Sequence, residues 1–310
     1  MLAFAIKRML SAVPTLLILI TLAFFMMRAA PGGPFDSERA LPPAVQAQVE
    51  AAYHLDEPLW QQYGRYLGAV VRGDLGPSFQ YPGFTVNELI AAGLPVSLSL
   101  GVLAMALAIL LGGSLGVLAA VRQNQALDHA AMGFAMTGIS IPNFVIAPVL
   151  ILLFAVQLGW LPAGGWDDGH WRNLLMPVVA LALPQVAYVA RLMRGSMIEV
   201  LRSNYIRTAR AKGLPARRVI LRHALKPALM PVVSYLGPAT AAVITGSVVI
   251  EQIFSIPGLG RFFVQGALNR DYTVVLGVVV FYGALIIAFN FLVDLIYGAL
   301  DPRVREGQQR

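Results

Sequence analysis

Long apolar runs separated by polar loops set the reading of this chain. Lys7 and Arg8 precede an uninterrupted apolar run over residues 9–27. It is long enough for a membrane span of about 20 residues and too long for the ~7 to 15 residue core of a signal peptide. We read it as an uncleaved anchor, with Pro14 tolerable in its opening turns. Runs over 95–121, 132–158, 174–193, 228–250 and 274–297 bring the expected spans to six. Proline interrupts several of them, at Pro142, Pro148, Pro177, Pro184, Pro231 and Pro238, and Gly112, Gly113, Gly116 and Gly237 are suited to close helix approach.

The stretch 29–94 is polar, holds seven acids and is placed outside the membrane. Pro42-Pro43 followed by Val45, Val49 and Ala52 predicts a short amphipathic helix. Asp56-Glu57-Pro58 predicts a second start, with Asp56 as the cap and Pro58 at the first position. Leu59, Tyr63, Tyr66, Leu67 and Val70 then recur at helical spacing until Gly73-Asp74-Leu75-Gly76-Pro77 ends the run. We read this second helix as lying on the bilayer, its tyrosines at the interface.

One loop breaks the pattern. Residues 191–226 carry ten of the 23 Lys and Arg residues against one acid, Glu199, far too much charge to lie in a bilayer. Ile198, Leu201, Tyr205 and Ala209 form an apolar helical stripe, with Arg207 and Arg210 on the other side. Lys212-Gly213-Leu214-Pro215 supplies a stop and a restart, since Gly suits the left-handed position after a helix and Pro the first turn of the next. A short helix over 216–225 follows, pairing Leu221 with Leu225 and Arg218 with Arg222. The product is a basic helix-turn-helix knob. Its residue types alone also fit a topology-fixing loop or a surface for anionic lipid heads, and they lack the aromatic platform expected of a nucleic-acid site.

Composition sharpens this picture. Hydrophobic residues make up 57% of the 310 residues, charged residues 13%, and mean hydropathy is +0.69, which marks a polytopic membrane protein. With both termini, residues 122–131, and the knob placed in the cytoplasm, 16 Lys and Arg lie inside and seven outside, as the positive-inside rule requires. The +7 net charge therefore follows topology rather than nucleic acid. The absence of cysteine excludes disulfides and thiolate chemistry. Lysine occurs only at Lys7, Lys212 and Lys226, none after a glycine, which excludes a phosphate loop.

Other candidates are weaker. His54, His129, His170 and His223 are scattered without metal-ligand spacing, so no metal is expected. Asp167, Asp168 and His170 read as a solvated loop tip between Trp166 and Trp171. Asp294 is the one clear intramembrane acid and reads as a structural or anchoring group. Asn143, Gln185, Thr240, Thr245 and Ser247 are candidates for lining a path through the bundle, although hydroxyls in spans mostly bond neighbouring backbone. Glu251 to Arg261 holds a Pro257-Gly258 turn among apolar Ile253, Phe254, Ile256 and Leu259, which predicts a re-entrant or interfacial excursion.

The knob resembles the cytoplasmic "EAA" loop of binding-protein-dependent ABC importer permeases. Ala209 and Gly213 match that motif, while Arg207 and Thr208 stand where it has Glu and Ala, and Leu225-Lys226-Pro227 matches its ending loosely. RTARAKGLPARRVILRHALKPAL is the form of the loop in the peptide-transporting branch. YHLDEPLWQQY, GDLGPSF, IPGLGRFF and VDLIYGALDPR extend the resemblance to nearly the whole chain, in the B-type membrane subunit of that branch.

The resemblance implies an all-α, six-span permease of the type I ABC importer fold with an external segment between the first two spans. It implies an anchor and external segment over 1–94, a transmembrane domain over 95–300 with its coupling loop at 194–227, and a cytoplasmic tail over 301–310. Contacts to the ATPase are expected at Arg202, Arg207, Ala209, Arg210, Lys212, Gly213, Arg217 and Arg218, and an outer gate at Phe254, Pro257 and Gly258. The implied partners are a homologous second permease, two ATP-binding subunits, an external peptide-binding protein, an oligopeptide substrate and membrane lipids. ATP and Mg would sit on the ATPases, with no cofactor and no enzymatic step on this chain. Dipeptide, nickel or glycoside importers share much of the framework. An ion-coupled secondary transporter is the alternative class, which would need coupling acids near mid-membrane and inverted repeats.

Overall fold

The computed structural model describes residues 2–29 and 54–300, and the side chains of 10–29, 54–293 and 295. The expected helix at 42–52, the side chain of Asp294 and the tail 301–310 lie outside the described residues. Helix α1 spans Leu2–Ala29. Helix α2, Leu59–Val71, packs its tyrosines on the end of α1. The rings of Tyr63 and Tyr66 lie 5.4 and 5.9 Å from that of buried Phe24, and the Tyr63 hydroxyl is 2.6 Å from Thr21 Oγ1. Asp56 does not cap α2. Pro58 holds the cap position, and the Gln62 amide folds back to donate to the carbonyls of Leu55 and Glu57.

Helix α3, Val86–Val121, starts nine residues before the expected position. A reciprocal capping box decides this: Thr85 Oγ1 accepts from the Glu88 N–H and Glu88 Oε2 from the Thr85 N–H, so the helix is nucleated ahead of Pro95. The 94/95 domain boundary therefore falls inside one continuous helix. Helices α4, Ala126–Ser140, and α5, Asn143–Leu150, with the π-helical turn Ile151–Gln157 after it, cover the proline-interrupted span expected over 132–158. They bend by 101°, because Pro142 holds Ile141 in an extended conformation.

Helix α6, Trp171–Leu201, is the central element and accommodates both Pro177 and Pro184. Helix α7, Asn204–Ala211, is the first limb of the knob. The second limb runs from α8, Ala216–Arg218, through a π-helical turn at Val219–Ala224 into α9, Leu225–Ala228. Then follow α10, Met230–Gly246, α11, Val248–Ile253, α12, Leu259–Leu268, and α13, Tyr272–Leu300. Five of these segments are long and apolar enough to cross a membrane, and six if the bent α4–α5 pair counts as one span.

Lipid offers apolar side chains no gain over a neighbouring helix, so close packing has to hold such a bundle together. The α3–α6 crossing shows how. A Cβ on Gly112 would stand 2.6 Å from the Val186 carbonyl, and one on Gly116 2.6 Å from that of Ala190, whereas Gly113 faces open space. Val96, Leu100, Met105, Met176, Leu181 and Val186 fill the core beside the crossing.

Candidate functional site

The knob is built on the end of α6. The chain breaks at Arg202-Ser203, where the Ser203 hydroxyl bonds back to the Val200 carbonyl, and α7 restarts at a new angle. The break rotates the expected stripe. Ile206 and Ala209 are buried against Met193, Met197, Val219, Ala224 and Ala228, while Tyr205 is 49% exposed. Ile198 and Leu201 pack against the same cluster from α6.

Gly213 closes α7 at φ +75°, with its N–H donating to the Arg210 carbonyl and that of Leu214 to Ala209. That pair of bonds is a Schellman cap, and Leu214 completes it by packing on the cluster that holds Ala209. A Cβ on Gly213 would meet nothing within 4 Å, so the turn presents bare backbone on the outside of the knob.

Of the expected contact residues, Arg210, Lys212, Arg217 and Arg218 are exposed and pair with no carboxylate among the described residues. Arg207 is exposed and donates to Asn204 Oδ1, and Arg202 donates to Gln123 Oε1 at 3.1 Å. Ala209 is buried in the knob's core and is not exposed on its surface. Arg194 also leaves the free basic field: its guanidinium makes a bidentate bridge to buried Asp128, at 2.7 Å for both bonds. That bridge ties the first turn of α4 to α6 two turns above the knob, and Asp128 holds the preceding loop by accepting the Asn124 N–H.

The expected outer segment forms a tight hairpin between α11 and α12. Phe254 and Gly258 are buried, and only Pro257 of the three is exposed. The Phe254 carbonyl accepts the Gly165 N–H at 2.7 Å, fixing the α5–α6 loop to the hairpin. Below it, Glu251 is fully buried. One carboxylate oxygen accepts the hydroxyls of Ser97 and Ser247 at 2.6 and 2.5 Å, and the other the Gly260 N–H at 2.9 Å. Ser97 Oγ in turn accepts the Leu259 N–H, so α3, α11 and α12 share one polar knot. The segment is thus packed into the bundle, with Phe254, Ile256 and Leu259 fully buried.

Asp271 forms a second knot, accepting the N–H groups of Phe79, Gln80 and Val274 and so seating the external loop on the start of α13. Among the path candidates, Thr245 bonds its own helix at the Ala241 carbonyl, and Ser247 is consumed by Glu251. Gln185 alone is tied across helices, accepting the Tyr235 hydroxyl at 2.6 Å.

This arrangement of an apolar bundle, an external segment and one basic knob matches a known family along the chain. Residues 112–306 match the family described as "Binding-protein-dependent transport system inner membrane component", and residues 1–101 match its N-terminal companion family. The chain belongs to this family.

The permease is 57% identical over 305 residues to the oligopeptide transport system permease protein OppB of Salmonella typhimurium and to that of Escherichia coli K12, covering 98% of this chain and all of each relative. It is 48% identical to the dipeptide transport system permease protein DppB of Bacillus subtilis, over 97% of both chains. A solved inward-facing structure of the MetNI methionine ABC transporter shares its fold, with a TM-score of 0.55 at 20% identity over 69% of the permease and 96% of that chain. So does a solved amino acid ABC transporter, with a TM-score of 0.54 at 20% identity over 68% of the permease and 94% of that chain.

Sequence reasoning did not find the three carboxylates that organise the permease. Asp294 stood out because it lies in an apolar run, whereas Glu251, Asp271 and Asp128 each sit at the edge of a span and read there as ordinary loop residues. The available signal was the hydroxyls at Ser97 and Ser247 within apolar helices, since such groups require a partner when buried.

Proposed function

We propose that the permease is one membrane half of an ATP-driven importer of oligopeptides. Its 57% identity along 98% of the chain to permeases named for oligopeptide transport carries the reading. An external solute-binding protein delivers the peptide, and a homologous second permease completes the path. Two ATP-binding subunits hold ATP and Mg and hydrolyse it inside, while this chain binds no cofactor and makes or breaks no bond. Both termini face the cytoplasm, where 16 of the 23 Lys and Arg residues then lie.

The knob supports the mechanical part of this reading. Ile206 and Ala209 are docked on the base of α6 through Met193 and Met197, so a push on the Gly213 turn displaces α6 rather than bending a loop. Closure of the two ATPases would supply the push, with Arg207, Arg210, Lys212, Arg217 and Arg218 meeting acidic groups on them. The push rocks the bundle between inward-open and outward-open states, each favoured by a different nucleotide state. At the opposite end, the hairpin of Phe254, Pro257 and Gly258 serves as the outer gate, with Glu251 holding it closed.

The test is purification of the tagged chain with its co-expressed partners in mild detergent. Recovery of a second permease and two ATPases by mass spectrometry, with ATP hydrolysis stimulated by oligopeptide-loaded binding protein, is the expected result. Stimulation by dipeptides alone would reassign the substrate. Ion-driven transport by the chain alone in vesicles would replace the importer with a secondary transporter.

A further inference from the structure

Where α1 leaves the bundle, Arg28 sits between two aromatic rings, its guanidinium carbon 5.5 Å from the centroid of Phe24 and 5.6 Å from that of Tyr272. Its Nε–H is buried and finds no acceptor. The Tyr66 hydroxyl nearby is likewise buried without a partner, and so is Oε1 of Gln62, a side chain only 7% exposed. All three residues line one cavity of about 360 Å³, bounded by α1, α2, the loop at 74–79 and the start of α13.

An unmet buried donor is costly, so two of them in one cavity call for a ligand that accepts. Charge narrows the choice. Arg28, Arg65, Arg72 and His54 line the cavity, with Asp74 the only carboxylate among the described lining residues, and Arg65 engages Glu57 at 2.5 Å. Ala69, Leu75 and Leu276 supply an apolar wall. Arg28 lies in the last turn of an apolar span, at the depth where a bilayer presents its phosphates.

We propose that this cavity is a binding site for a phosphate monoanion, held by the Arg28 guanidinium and the Tyr66 hydroxyl and supplied by the headgroup of an anionic phospholipid. Planar, bidentate donation to phosphate oxygens is what a guanidinium does best, and the rings of Phe24 and Tyr272 hold it against the cavity. The Gln62 oxygen suits a headgroup hydroxyl such as that of glycerol. The apolar wall receives the first part of the acyl chains. The proposal needs only that α1 spans the membrane, and it stands whether or not the substrate is a peptide.

The test is native mass spectrometry of the full chain with its co-purified partners, titrated with phosphatidylglycerol and, separately, phosphatidylcholine. Expected are retained phosphatidylglycerol adducts in the wild type and retention about tenfold weaker in Arg28→Gln, the loss of one charge-assisted contact. Tyr66→Phe keeps the ring packing on Phe24 and removes only the donor, so it remains informative if Arg28→Gln does not fold. It should weaken phosphatidylglycerol retention without lowering the thermal midpoint of the delipidated complex. Equal retention of the two lipids, or retention unchanged in both variants, would overturn the site. Displacement of the adduct by millimolar inorganic phosphate would overturn the lipid as its source and assign the cavity to a free anion.

Discussion

Arg194 and Asp128, 66 residues apart, meet in a bidentate bridge with both bonds at 2.7 Å, and Asp128 Oδ2 also accepts the Asn124 N–H. Asp128 is 1% exposed while the Arg194 side chain is 28% exposed, so the two partners are not equivalent. Arg194→Ala strands a buried carboxylate and should cost about 3 kcal/mol, whereas Asp128→Ala leaves a guanidinium that can reach solvent and should cost less. Thermal midpoints of the purified variants would order as wild type, Asp128→Ala, Arg194→Ala. The reverse order would show that the bridge is not what seats the knob's base.

At Gly213 the backbone conformation is demanding and the space is not. Gly213→Ala should cost only about 1 to 2 kcal/mol, the penalty of a Cβ in the left-handed region. A bulky residue there, such as Gly213→Trp, should insert into the membrane at normal levels and lose peptide uptake while partner ATP hydrolysis continues. Normal uptake in that variant would remove Gly213 from the coupling surface.

Three glycines on α3 should respond oppositely to the same change. Gly112→Ala and Gly116→Ala drive a Cβ into the carbonyls of Val186 and Ala190 and should sharply lower recovery of folded protein, whereas Gly113→Ala meets nothing within 4 Å and should be silent. Yield and monodispersity on size exclusion report the difference.

The Glu251 knot admits only acceptors. Glu251→Gln turns an amide N–H₂ toward hydroxyl and N–H donors and should destabilise the permease by about 2 kcal/mol. Gly258→Ala would press its Cβ to 2.3 Å from the Glu251 Cδ and should act in the same direction. If the hairpin is the outer gate, both variants raise substrate-free ATP hydrolysis. A change in stability without any change in that basal rate would leave the knot purely structural.

Outside the membrane, Arg65 donates to Glu57 and holds its carboxyl below the ordinary value of 4.5, with His54 adding to the effect. A depressed folded-state value means the pair stabilises the external segment above about pH 4.5 and that this contribution is lost as pH falls through the lowered value. Glu57→Gln should therefore lower the thermal midpoint slightly at neutral pH and matter progressively less as pH falls below about 4.5, the small size reflecting a pair open to solvent on the Arg65 side. A difference that persisted or grew in acid would assign the effect to packing instead.

Much of this was fixed by the one-dimensional pattern. Apolar runs of span length, basic residues concentrated in one loop, and Gly213-Leu214-Pro215 between two helical stretches determined a polytopic bundle with a single structured knob, because bilayer thickness and helix capping act on local sequence. Tertiary structure decided what depends on which faces meet. Ser203 turned α7 so that Ile206, rather than Tyr205, entered the core, and Pro142 bent one expected span through 101°. Asp128, Glu251 and Asp271 look like loop acids in the sequence, yet each is buried by partners 66, 154 and 193 residues away. A carboxylate's role is set by the donors that surround it, and those donors are brought together only when the helices pack.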